Sequence, residues 1–219
     1  MPPDPSVETD MYELHYSPGT ASLLPHMMLR ELGVPFQLRL VDREAKEQAG
    51  PDYLKLNPNG RIPVLVADGQ ALYETAAIAL HLADRHPGLA PAVGAPDRGD
   101  YYKWMVHLAN TTQAEFRAWF YSHEFVSDPA CEASAHAAAG QRLAANFQTI
   151  AAQLEGRDWL LASGFSAADL YLLMMVRWGR TLPAPAREIP ALGAHAERVL
   201  GRPAVQETLA AEGLAAPFV

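Results

Sequence analysis

The sequence predicts an α/β layer domain followed by an all-helical domain. Three observations carry this. Residues 12–85 alternate strand and helix patterns in the order β-α-β-α-β-β-α. Residues 86–100, HPGLAPAVGAPDRGD, hold three prolines and three glycines and read as a linker. From residue 101 almost to the end, the apolar periodicity is helical. The expected domains are therefore 12–86 and 101–219, with residues 87–100 between them and a disordered extension over residues 1–11.

The first element is a short strand, Tyr12–Tyr16, broken by Ser17-Pro18-Gly19. A hydroxyl cluster, Thr20 and Ser22, precedes a helix whose Leu23, Leu24, Met27, Met28 and Leu32 recur at helical spacing. Ser22 is the expected N-cap, Pro25 falls in the first turn, and Gly33 is the natural stop. A strand delivering a turn onto a helix N-terminus makes an anion site, because unpaired N–H groups and the helix dipole both face the turn.

Residues 36–41 alternate as a strand does, and residues 42–55 are polar, a loose helix or loop. Residues 62–67 form an apolar strand. Asp68-Gly69 is a hairpin signal leading to residues 71–73, and residues 74–85 make a helix opened by Glu74 and Thr75. Pro63 sits at a strand entry, where no ladder donor is lost. In the second half, helices are expected over residues 101–121, 133–154, 170–178, 189–200 and 204–209. The third of these is apolar on nearly every side and should be the buried centre of a bundle. Phe165-Ser-Ala-Ala-Asp-Leu170 fits a capping box with a hydrophobic staple: Ser166 caps, Asp169 reaches back, and Phe165 packs on Leu170.

Composition narrows the function classes. The chain has 219 residues, 49% hydrophobic and 19% charged, with a net charge of −8. That charge argues against nucleic acid as a partner, and no apolar run reaches the roughly 18 residues needed to cross a bilayer. The start, MPPDPSVETD, is polar and acidic and lacks a signal-peptide pattern. The single cysteine, Cys131, excludes an internal disulfide and suits a reducing, cytoplasmic setting; it reads as a lone, partly buried thiol. The eight histidines form no cluster at metal spacing, so no metal is expected. Dinucleotide, P-loop and nucleophile-elbow motifs do not occur.

Five motifs in order resemble those of the cytosolic glutathione transferases, most closely the bacterial beta class, over residues 14 to 214. Leu14-His-Tyr-Ser-Pro-Gly-Thr-Ala-Ser22 is similar to that class's first strand and turn. Asn57-Pro-Asn-Gly-Arg-Ile-Pro-Val64 is similar to its proline segment, and Glu74-Thr-Ala-Ala-Ile78 to its acid–hydroxyl pair. The capping box matches, and so does the ending at Arg202-Pro-Ala-Val-Gln206 and Ala211-Glu-Gly-Leu214. The resemblance implies a thioredoxin-like N-terminal domain carrying glutathione as co-substrate. It further implies an all-α second-substrate domain, a homodimer, a cis Ile62–Pro63 bond, and a small hydrophobic electrophile as partner.

The resemblance also implies site roles. Glutathione would contact Thr20, Ala21, Lys46, Arg61, Ile62, Pro63, Glu74 and Thr75. Its backbone would pair with Ile62, its γ-glutamyl carboxylate would sit at Thr75, its ammonium at Glu74 and its glycyl carboxylate at Lys46. The beta class carries a cysteine at the position of Ala21, which removes thiol–disulfide chemistry here. Thr20 is then the leading donor to the glutathione sulfur, with Ser17, Tyr16, Ser22 or backbone N–H groups as alternatives. The bland reading of Thr20 is a turn residue with its hydroxyl bonded locally. The class's Glu-Leu-His-Lys run is replaced by Thr111-Thr112-Gln113-Ala114. Gln113, Tyr121 and Trp178 are candidates for the second pocket, although aromatics at helical spacing also serve as core. The implied activity is conjugation of glutathione to an electrophile. The alternatives are a non-catalytic ligand-binding or regulatory protein on the same fold, and a glutathione-dependent isomerase or dehalogenase.

Overall fold

The computed structural model describes residues 11–219. The expected N-terminal extension therefore lies outside the described residues, apart from Met11. The chain divides into two compact units. One comprises the chain up to Pro87 together with Ala204–Leu214, and the other comprises Gly88–Pro203 with Ala215–Val219. Ala204–Leu214, expected within the 101–219 domain, is grouped with the first unit.

The first unit is built on a four-stranded sheet of order β2-β1-β3-β4. The strands are β1 (Tyr12–Tyr16), β2 (Phe36–Leu40), β3 (Val64–Ala67) and β4 (Gln70–Tyr73). β1 pairs parallel with β2, Tyr16 opposite Leu40, and antiparallel with β3, His15 opposite Val64. β3 and β4 form the hairpin signalled by Asp68-Gly69, whose φ values of 52° and 71° are what a primed turn requires. The β3 strand begins at Val64, later than residue 62, and the Ile62–Pro63 bond before it is cis.

Alternation along β1 separates the two faces of the sheet. Leu14, fully buried, lies on the face with α1 (Leu23–Leu32) and α3 (Thr75–Arg85), which pack on each other. Leu23, Leu24, Met27 and Met28 of α1 and Ile78 and Leu82 of α3 are at 0% exposure. Gly33 ends α1 in the left-handed conformation, φ 63°, as its sequence position anticipated. The opposite face carries Val64, packed with Val41 and with Tyr53 of α2 (Pro51–Leu56). His15 lies on that side, its ring edge-on to Tyr53 at 6.0 Å. The polar stretch 42–55 therefore resolves into a 3-10 turn, Glu47–Ala49, and one short helix.

The second unit is helical: α4 (Arg98–His107), α5 (Ala114–Phe120), α6 (Glu132–Leu154), α7 (Ala167–Trp178) and α8 (Pro190–Leu200). The final helix, α9 (Pro203–Ala211), carries the chain back to the first unit. The expected single helix over residues 101–121 is two helices joined by a π-helical turn, Leu108–Gln113. In α7, every residue from Ala167 to Arg177 is buried, as the all-apolar pattern required. Cys131 is exposed, not partly buried; it precedes α6 at the end of a 3-10 turn.

The capping box forms: Ser166 N–H donates to Asp169 Oδ2 at 2.8 Å, and Ala168 N–H donates to Ser166 Oγ at 3.3 Å. Asp169 does more than its sequence position indicated. At 0% exposure its Oδ1 also accepts from Leu160 N–H and from His195 Nε2, each at 2.9 Å. Phe165 meets the Trp159 ring at 5.1 Å and lies under the Arg202 guanidinium at 3.7 Å. Asp169 therefore ties the α7 start, the 160 segment and α8 together.

Removing that carboxylate strands several buried donors, so Asp169→Ala should cost about 3–5 kcal/mol, more than a cap alone. Urea denaturation of the two proteins checks this; a loss within the roughly 0.5–2 kcal/mol of a simple cap would show the wider network to be idle.

Near the end of α3, burial pushes His86 below its ordinary value of 6.5, and its Nε2 accepts from the Tyr12 hydroxyl at 2.8 Å. Burial likewise lowers His81. The unfolded chain then binds more protons than the folded one as pH falls past 6.5, so stability falls with it. Thermal unfolding at about pH 7 and about pH 5.5 should show this loss, and His86→Gln, which keeps an acceptor for Tyr12, should reduce it to the part that His81 contributes.

Candidate active site

Strand pairing decides where the candidate residues of the first unit meet. Tyr16 ends β1 opposite Leu40, the end of β2; His15 pairs with Val64, the start of β3; and Val64 pairs with Tyr73, the end of β4. The turn after β1, the loop after β2, the segment before β3 and the segment after β4 therefore all emerge at one end of the sheet. Those four segments carry Ser17 to Ser22, Lys46, Arg61 to Pro63, and Glu74 with Thr75.

The turn is a knot of hydroxyls. The Thr20 hydroxyl donates to Ser17 O at 2.7 Å and lies 3.0 Å from Ser22 Oγ. Ser22 Oγ donates to Ser17 O at 3.1 Å and accepts from Ser17 N–H at 3.2 Å. Ser22 is therefore not a conventional N-cap: its own backbone is helical, and its hydroxyl turns back to close the loop. Ser17 and Ser22 are buried, at 8% and 0% exposure, whereas Thr20 is half-buried. Ala21 is buried at 8%, and the half-buried Tyr16 ring meets the His26 ring at 6.1 Å. Thr20 is thus the most accessible of the three clustered hydroxyls, and in this state its proton is given to Ser17.

A buried carboxylate that sequence reading did not single out anchors this turn from behind. Glu212, at 5% exposure, accepts from Gly19 N–H through Oε2 at 2.8 Å and pairs with His26 Nδ1 through Oε1 at 2.8 Å. Arg30 Nε donates to the other ring nitrogen of His26 at 3.3 Å. The partners are separated by 193 and 186 residues. No local pattern signals such a pairing.

The other segments present backbone and charge. Ile62 lies just outside both strand ladders, half-buried, and the carbonyl of Arg61 is held by Tyr53 Oη at 2.9 Å and Asn57 Nδ2 at 2.7 Å. The Arg61 residue itself is exposed. Glu74 is exposed and has φ 74°, ψ 115°, a conformation that a residue with a side chain adopts only at a cost of about 1–3 kcal/mol. Thr75, at 5% exposure, opens α3, whose first turn carries no acid, and the positive end of the helix dipole lies there. Lys46 is exposed, also at positive φ, 57°.

In the second unit, the candidate residues take different partners. Gln113 ends the π-helical turn and accepts from the Tyr171 hydroxyl. Trp178 is half-buried and edge-on to Phe116 at 5.6 Å and Phe120 at 6.0 Å. Tyr121 instead lies beside the Arg117 guanidinium at 5.2 Å.

The arrangement matches known proteins. Residues 22–85 fit the model of the glutathione S-transferase N-terminal domain, and residues 118–203 fit that of the C-terminal domain. Glutathione S-transferase GST-4.5 of Xanthomonas campestris is 34% identical over 92% of this chain and 99% of its own. The chain belongs to the glutathione S-transferase family. Among solved structures, a sphingomonad glutathione S-transferase complexed with glutathione is 38% identical, covering 93% of this chain and 100% of its own, with a TM-score of 0.82. A beta-class glutathione S-transferase of Sphingomonas chungbukensis is 33% identical over 93% of this chain and 100% of its own, with a TM-score of 0.81. The first unit's sheet and helices are the thioredoxin-like half of this family fold, and the second unit holds its helical half.

For this family member, the Glu212 anchor sets the shape of the turn that carries Thr20. Glu212→Ala should destabilise the protein by about 3–5 kcal/mol, because it leaves His26 Nδ1 and Gly19 N–H unpaired in the interior. Glu212→Gln, which keeps the shape and one acceptor, should cost less. Equal unfolding midpoints for wild type and Glu212→Ala in guanidinium would contradict the assignment.

Proposed function

We propose that this chain binds reduced glutathione at the described end of the sheet and conjugates it to a small apolar electrophile. The single observation carrying this reading is the convergence there of Thr20, the unladdered backbone at Ile62, the strained Glu74 and the helix start at Thr75. Each suits one part of an extended tripeptide that bears two carboxylates, an ammonium and a thiol. The backbone at Ile62 pairs with that of the peptide, as an added strand does. The γ-glutamyl carboxylate sits on the Thr75 N–H and hydroxyl, at the positive end of α3. The Glu74 carboxylate faces the ammonium from the same corner, and the Lys46 ammonium takes the glycyl carboxylate. Arg61 and Pro63 flank the peptide, and Ala21 lies beneath the thiol.

A free thiol has a pKa of about 8.5, so catalysis begins with holding its charged form. The Thr20 hydroxyl is the assigned donor. Its present acceptor, Ser17 O, is also within reach of Ser22 Oγ at 3.1 Å, so Ser22 satisfies that carbonyl when Thr20 rotates toward the sulfur. The thiol proton leaves to solvent. The thiolate electron pair then forms the carbon–sulfur bond, and the leaving group departs with the electrons of its own bond. Rate comes from lowering the thiol pKa and from positioning, with no covalent protein intermediate. Gln113, Tyr121 and Trp178 belong to the second-substrate side. The working form in this reading is a cytoplasmic homodimer.

The rival reading is a glutathione-binding protein without catalysis, favoured by the commitment of the Thr20 proton to Ser17. Conjugation of chlorodinitrobenzene separates the two. Thr20→Val should lower kcat/KM about 10²-fold and raise the apparent pKa of its pH profile, while retention on immobilised glutathione persists. An unchanged rate and profile would remove Thr20 from the role. A wild type that is retained but inert would favour the rival.

A further inference from the structure

From α4 through α5, five residues recur at every fourth position: Trp104, Leu108, Thr112, Phe116 and Phe120. An α-helix turns about 100° per residue, so each step of four overshoots by about 40° and the series would drift about 160° round the helix. The first four are nonetheless buried, at 5%, 0%, 0% and 0% exposure, and Phe116 stacks on Phe120 at 5.6 Å. The π-helical turn Leu108–Gln113 takes up the drift, because its turns are wider than those of an α-helix. It thereby points Phe116 and Phe120 at Trp178.

Something must hold that turn in place, since its hydrogen bonding is less favourable than that of an α-helix. Thr112, the one polar member of the series, is fully buried and accepts from Asn146 Nδ2 of α6 at 3.0 Å. Asn146, 8% exposed, also accepts through Oδ1 from His107 Nε2 at 2.8 Å. His107 is the last residue of α4 and Thr112 lies within the π-helical turn, so one amide clamps both sides of the irregularity. Tyr171 holds the far end through Gln113, leaving the Gln113 amide N–H groups to donate elsewhere.

We propose that Asn146 is a positioning residue for the second substrate: its amide locks the π-helical turn and so, through the buried Phe116 ring, sets the Phe120 and Trp178 rings and the Gln113 amide against which the electrophile binds. This rests on the conjugation reading above. Asn146 touches neither substrate in this proposal and acts only through the turn.

The test is steady-state kinetics with glutathione and chlorodinitrobenzene. Asn146→Leu, close in shape but without the two hydrogen bonds, should raise KM for chlorodinitrobenzene about ten-fold and leave KM for glutathione within about two-fold. Asn146→Asp should restore the value, because a carboxylate accepts from both the Thr112 hydroxyl and His107 Nε2–H. If Asn146→Leu does not fold, Thr112→Val deletes the same bond from the other side and is read by the same criteria. An unchanged KM for chlorodinitrobenzene, or equal rises for both substrates, overturns the positioning role. A wild type inert with chlorodinitrobenzene sinks the conjugation reading and this role with it, an outcome distinct from an active wild type with an unaffected variant.

Discussion

The pairing of β1 with β2 on one side and β3 on the other is the constraint on which the first unit depends. One parallel and one antiparallel ladder on the same short strand bring four loops to one end of the sheet. A shift of register by one residue would turn Leu14 from the buried face with α1 to the face with Tyr53, and would separate Tyr16 from the start of β3. Burial of the α1 and α3 faces thus selects the register, and the register places Thr20, Ile62, Glu74 and Thr75 together.

Two kinds of polar economy operate at the turn after β1. Ser17, Thr20 and Ser22 satisfy one another within six residues, so the loop is closed largely by its own side chains. Glu212 then fixes the loop to the unit by accepting from Gly19 N–H through one oxygen and pairing with His26 Nδ1 through the other. A buried carboxylate is tolerated in such a place only when every oxygen is occupied. Asp169 obeys the same rule in the second unit, with both oxygens engaged by four donor groups.

Three departures from regular geometry coincide with candidate site residues or their neighbours. Glu74 and Lys46 take positive φ on an exposed rim, and the π-helical turn interrupts the longest aromatic helix. In each case packing on either side over-determines the local backbone. At Glu74 the β3–β4 hairpin and α3 are both fixed; at the π-helical turn, Asn146 and Tyr171 are.

The sequence by itself determined the elements whose signals are local. The strand alternation of β1, the Gly33 stop, the Asp68-Gly69 hairpin, the Ser166–Asp169 box and the all-round burial of α7 follow from residues within one or two turns of each other. It also marked the glutathione-side candidates, through motifs short enough to read. The period of four in Trp104 to Phe120 was present in the sequence too, but it reads as an ordinary helix until the drift is counted. Only the tertiary structure decided the rest. It assigned α9 to the first unit, supplied Glu212 to the turn, gave Asp169 its distant partners and exposed Cys131. The Glu212 and His195 contacts join groups tens to nearly two hundred residues apart, and a hydrogen bond of that kind is chosen by the packing that brings its partners within 3 Å, which no stretch of sequence contains.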